Sequence, residues 1–215
     1  MLTPDQQFWW NWWVSLAVAA GTLLAVVVAI FGEKLRAKFF PPRLSLRFIC
    51  PEGEGTTLTR KDSGEVADDV RYYHLRVSNE RRWSAAREVQ VFLTRVEEPG
   101  PNGDLHVVWA GEVPIRWRDQ EVVPLLRTIG ADADCDLCRV GRNTGLSLMP
   151  LISPNNLNAH HQGSCRLVAS LQARSNETDS EVARIEISWD GSWEHGDMEM
   201  KRHLAVRPLA PERSN

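Results

Sequence analysis

The residues best equipped for chemistry lie in the second half of the chain: Cys135 and Cys138 in "CDLC", then His160, His161 and Cys165 in "HHQGSC". Two thiolates three positions apart can hold one side of a tetrahedral zinc, and a histidine with a further thiol could close the set. A metal-dependent hydrolase using this Cys/His cluster is therefore the enzymatic reading of the chain. The local pattern opposes it. In "ADADCDLCRV" Ala133, Cys135 and Leu137 alternate with Asp132, Asp134 and Asp136, a strand signature, and a regular strand sends Cys135 and Cys138 to opposite faces. The expectation is a Cys135 that packs inward as a small apolar residue.

Other chemistries are weaker. D-x-D-x-D can begin a calcium loop, but Leu137 stands where the loop requires Gly, and Asn143 where it requires a bidentate Glu. A redox C-x-x-C should open a helix in a βαβ context, which is missing here. No G-x-S-x-G elbow or protease-like Cys setting occurs, and "GRNTG" lacks the Lys and following helix of a phosphate loop. His74, His106, His195 and His203 are scattered, and the sequon at Asn176 matters only in a glycosylating compartment. "WDGSW", Trp189 to Trp193, reads as a tight hairpin turn whose tryptophans pack inward. No catalytic, cofactor-binding or metal-ligating residue is assigned, and no cofactor is expected.

The elements that must position these residues begin with an anchor. "FWWNWW", Phe8 to Trp13, precedes an uncharged run from Val14 to Phe31. With Trp12 and Trp13, the span 12–31 reaches the roughly 20 residues that cross about 30 Å of hydrocarbon. Trp9, Trp10, Trp12 and Trp13 read as an aromatic belt at one interface, closing a short interfacial segment, residues 1–11. Residues 32–42 form a basic juxtamembrane linker whose Lys34, Arg36, Lys38, Phe39 and Phe40 mark the other interface. Before Val14 the only charged side chain is Asp5, so the positive side is the cytoplasmic one: N-terminus outside, C-terminal domain cytoplasmic, cysteines reduced. A signal peptide would want a basic n-region, and a core helix would want a polar face. Ala17, Gly21, Ala25 and Ala29 recur every four residues, a helix-packing stripe through which a homo-oligomer could form.

Past Pro41 and Pro42, which stop a helix, the period becomes two. Leu44, Leu46 and Phe48 alternate, then Tyr73, Leu75 and Val77, then Val89, Val91 and Leu93. Further strands are expected around Leu105 to Val113, Ile115 to Trp117, Leu167 to Ala173, Ala183 to Trp189, and Leu204 to Val206. Pro51 to Asp69, rich in Gly and charge, reads as a long surface loop. "LRVSN" followed by "VQVFL", and "LQARSN" followed by "ARIEISW", each read as strand, Asn, polar loop, strand. Many short strands between turns favour two packed antiparallel sheets over residues 43–209, with a tail at 210–215. The pattern resembles the immunoglobulin-like sandwich in outline, where such a pair of strands often forms one hairpin, although the Cys…Trp…Cys signature is missing. The resemblance implies a fold and no activity.

Composition narrows the partners. The 215 residues hold 25 Lys and Arg against 28 Asp and Glu, a net charge of −3, and acidic residues predominate past Arg47. Nucleic acid is thereby disfavoured. The reading is a mainly β, single-pass membrane-anchored protein whose antiparallel β-sandwich serves as a protein-interaction or accessory module of a membrane complex. Its partners are the lipid bilayer and a protein.

Overall fold

The computed structural model describes residues 3–60, 62, 64–118 and 126–210, with the backbone alone for 33–35 and 37. Residues 1–2 of the expected interfacial segment, the side chain of Lys34 and tail residues 211–215 lie outside the described residues. The chain forms two units, Met1–Pro41 and Pro42–Asn215.

The first unit is a single helix, α1, Pro4–Phe39. It starts where Pro4 supplies a pre-set φ at the first helical position, and where the Thr3 backbone N–H donates to Gln6 Oε1 at 3.1 Å. Asp5 in the first turn and Arg36 and Lys38 in the last complement the helix dipole. Its 36 residues extend about 54 Å at 1.5 Å per residue. That is longer than the expected span 12–31, and the helix runs on without a break at both ends.

The second unit is mainly β. Its strands are β1 (Leu44–Phe48), β2 (Glu54–Thr59), β3 (Val66–Asn79), β4 (Ala86–Pro99), β5 (Leu105–Pro114), β6 (Arg127–Ile129) and β7 (Asp132–Gly141). They continue as β8 (Gly145–Leu148), β9 (His160–His161), β10 (Cys165–Arg174), β11 (Ala183–Trp189) and, after the short helix α2 (Asp197–His203), β12 (Leu204–Leu209). Two six-stranded antiparallel sheets result. One runs β1-β3-β7-β8-β9 with β2 also on β3; the other runs β12-β11-β10-β4-β5 with β6 also on β4. Alternate residues of both sheets meet in one core, including Leu75, Val77, Cys135, Leu93, Leu167, Leu171 and Ile187. The arrangement is sandwich-like, and each fully buried aliphatic side chain stabilises it by about 1.5–3 kcal/mol.

Several expectations change. Pro51 to Asp69 is not a loop throughout: β2 occupies Glu54–Thr59 and pairs with the start of β3. β2 is almost wholly exposed, so no buried face imprinted an alternation on "EGTTLT". Residues Ile115 and Trp117 make isolated bridges to Pro150 and Cys135 rather than a strand, because the chain is crossing there from one sheet to the other. "LQARSN" and "ARIEISW" form the expected hairpin β10–β11. "LRVSN" and "VQVFL" do not: β3 pairs with β1, β2 and β7, while β4 pairs with β5, β6 and β10. The polar connection after Asn79 therefore arches between sheets. The buried Asn79 fixes that arch, donating to the carbonyls of Ser84 (2.7 Å) and Ile129 (3.3 Å) and accepting from the Arg43 and Arg81 N–H groups. "WDGSW" turns with Gly191 at φ 94° and Ser192 N–H donating to Asp190 Oδ1, and it leads into α2 rather than directly into a strand.

Candidate functional site

The cysteines show how one irregularity redirects chemistry. Along β3–β7, Tyr73 is opposite Cys138 and His74 is opposite Asp136, which leaves Leu137 without a partner. This β-bulge shifts the alternation by one. Cys138 and Cys135 thus face Tyr73 and Leu75, two residues apart on β3, and both enter the core on the same face. The expectation of opposite faces is corrected. Burial in apolar surroundings pushes both thiols well above their usual range, and the half-buried Cys165 thiol rises to about 11 for the same reason. Thiols held protonated are poor ligands and poor nucleophiles.

His160 and His161 do not complete a metal set. His160 Nδ1 lies 2.8 Å from Ser147 Oγ, and desolvation lowers the proton affinity of His161. Among the described residues no group of three or more His, Cys, Asp or Glu side chains is placed to hold a metal ion. The Ser147–His160 contact has the atoms of a nucleophile–base pair, which the sequence did not reveal because the two belong to adjacent strands. Ser147 is 1% exposed, however, so a substrate has no route to its hydroxyl.

Among the described residues, two open concavities stand out. One, of about 540 Å³, has Gly53, Gly55 and Arg71 along one side and Trp193, His195 and Asp197 along another. Arg71 is buried, and its guanidinium donates to the carbonyls of Glu52 and His195 and to Asp197 Oδ1. Those bonds tie α2 to the β2–β3 end of its sheet. The second, a groove of about 560 Å³, lies between β1 and the β11–β12 pair. Leu46 and Phe48 line it half-buried, Val182 is 43% exposed, and Arg43 and Arg47 both approach Glu80 on its rim. Sequence periodicity announced Leu44, Leu46 and Phe48 as an inward face but gave no sign that the face stays partly uncovered. A third polar site is closed: His74 Nδ1 is 2.9 Å from Asp136 Oδ1, and Arg76 grips Asp134 through two bonds. Those bonds hold the Asp134 carboxyl below the usual range.

In α1 the apolar residues stand uncovered. Trp9, Trp10, Trp12 and Trp13 are 57%, 64%, 46% and 59% exposed, and Trp12 meets both Trp9 and Trp13 edge to face. The described helix from Pro4 to Gly32 is long and apolar enough to cross a membrane, with a mean hydropathy of 2.6 in its most apolar stretch. None of that stretch is buried within the protein. Arg36, Lys38, Phe39 and Phe40 follow, all exposed. The stripe residues Ala17, Gly21, Ala25 and Ala29 are exposed too, and a Cβ added at Gly21 would meet nothing within 4 Å.

No protein-family model matches the chain, and no curated protein matches it.

Proposed function

We propose that the chain is a single-pass membrane protein whose cytoplasmic β-sandwich, immunoglobulin-like in outline, binds another protein within a membrane complex. The observation that carries the reading is the uncovered helix. About twenty consecutive apolar residues with no protein around them would lose the stabilisation of burial in water and recover it in hydrocarbon. In this reading Trp9, Trp10, Trp12 and Trp13 sit at the outer headgroups. Lys34, Arg36 and Lys38, with Phe39 and Phe40, sit at the inner ones. The stripe of Ala17, Gly21, Ala25 and Ala29 allows a second helix, from another copy or a partner, to approach closely.

A binding role for the sandwich is supported by what its surface offers: concavities and sheet edges, with the Cys135 and Cys138 thiols sequestered and the Ser147 hydroxyl closed. The test is photo-crosslinking from several sandwich positions in native membranes, with the adducts identified by mass spectrometry. The reading expects a membrane or membrane-bound protein to recur among adducts from one face. Adduct-free chain from every position, in a chain that alkaline carbonate strips from the membrane, would end it.

A further inference from the structure

The edges of the two sheets are not alike. β12 carries Pro208, which removes a backbone donor, and β9 is two residues long. β5 pairs with β4 through two register shifts that twist it, and β2 presents Gly and Thr with hardly any buried side chain. These are the usual protections of an open edge. β1 has neither proline nor bulge, and its inward residues line the groove.

Among the described residues, β1 pairs with β3 along one side only, which leaves the backbone groups of its other side free. Glu80 N–H donates to the Arg43 carbonyl at 2.9 Å, and Asn79 N–H turns the other way to the Ala131 carbonyl. Bonded and non-bonded pairs alternate in an antiparallel ladder, so Ser45 opposite Ser78 and Arg47 opposite Arg76 are the bonded pairs. Leu44, Leu46 and Phe48 therefore direct their N–H and C=O groups away from β3. The same three residues point their side chains toward the core, and Leu46 and Phe48 remain half-exposed along the groove.

From this coincidence we propose that the groove receives an extended strand of a partner protein, which pairs with β1 as a seventh strand and inserts alternate apolar side chains between the sheets. This rests on the protein-binding reading above and deepens it. The partner strand runs antiparallel to β1; residues directly opposite one another then share a face and exchange their backbone bonds, so the inserted apolar residues are also those whose N–H groups bond to Leu44, Leu46 and Phe48. Backbone pairing supplies affinity and the groove supplies selectivity. A second copy pairing through its own β1 fits less well, because its apolar face would point into its own core and leave this groove unfilled.

The probe is a fluorescent peptide, acetyl-Lys-Thr-Val-Thr-Val-Thr-Val-Thr-Glu-amide, titrated against the full chain in nanodiscs. Two twins carry backbone N-methyl groups, one on the three valines and one on three threonines. The proposal expects saturable binding, weakened at least about tenfold by valine methylation, since one net hydrogen bond is worth about that factor. Threonine methylation, on outward N–H groups, should be tolerated. Amide exchange at Leu44, Leu46 and Phe48 should slow when the parent peptide binds. Equal binding by both twins, or no saturable binding up to about 1 mM, overturns the groove proposal. In native membranes, photo-crosslinkers at Leu46 and at the exposed Arg207 separate the two ideas. Adducts from Arg207 alone defeat the groove and leave the binding module standing, and adducts from neither site count against both.

Discussion

Asn79→Ala should be among the more damaging substitutions in the sandwich, although Asn79 has no apolar side chain to lose. The amide donates to Ser84 O at 2.7 Å and to Ile129 O at 3.3 Å, and its Oδ1 accepts from the N–H groups of Arg43 and Arg81. With alanine, two buried carbonyls face a methyl group. Each unsatisfied buried group costs about 1–3 kcal/mol. The short bond to Ser84 should weigh toward the upper end and the long one to Ile129 toward the lower. The two N–H groups lie in part-buried settings and can find water. A loss of about 3 kcal/mol follows, or a melting temperature lower by roughly 6–12 °C for a domain of this size. Asn79→Asp discriminates further. It places a carboxylate oxygen against the Ser84 carbonyl, so the introduced carboxyl has its pKa raised in the folded state. Its penalty is then small below the unfolded value near 3.9 and grows as pH rises. Urea unfolding of the full chain in detergent, followed by tryptophan fluorescence at pH 7 and at about pH 3.5, reads both effects. An Asn79→Ala variant within about 0.5 kcal/mol of the parent, or a pH-independent Asn79→Asp penalty, would mean that the arch does not depend on these bonds.

Cys135→Ser and Cys138→Ser should destabilise to a similar degree, by about 1–3 kcal/mol for a hydroxyl buried without a partner. In the native domain a maleimide should modify neither, while the half-buried Cys50 reacts; mass spectrometry after timed labelling reads this directly. Arg76→Gln should cost stability at neutral pH and much less in acid. The Asp134 carboxyl, held low by its bonds to Arg76, contributes above the unfolded value near 3.9 and ceases to as pH falls through its folded value. Urea midpoints at pH 7 and at about pH 3 test this. Gly21→Ile should weaken helix association in a transmembrane reporter while insertion survives, with Leu24→Ile unchanged.

The strands whose one face is buried were readable from alternation alone: Tyr73, Leu75 and Val77, or Leu167, Ala169 and Leu171, sit in the core as their period implies. β2 was not, because an exposed edge strand needs no apolar alternation and "EGTTLT" offers Leu58 alone. The two Asn-ended repeats looked alike in sequence and diverge in space. Asn176 is exposed on a hairpin loop, whereas Asn79 is buried and turns the chain into the other sheet. Strand alternation cannot say which partner a strand takes, since pairing depends on contacts far along the chain. The bulge at Leu137 had no local signal either, and it decides that Cys135 and Cys138 share a face. The groove was hidden for the same reason, since an inward period does not reveal whether anything covers it.

The proposed topology, α1 crossing a bilayer with the sandwich on the cytoplasmic side, can be read from which end of the chain a reagent reaches first. The most direct measurement places Thr3→Cys beside the native Cys50 and applies a membrane-impermeant maleimide to intact cells, then to opened ones. With this topology the introduced thiol is labelled from outside, and Cys50 only after the membrane is opened. Cys50 labelled from outside in the folded protein, or both thiols labelled only after opening, would contradict it.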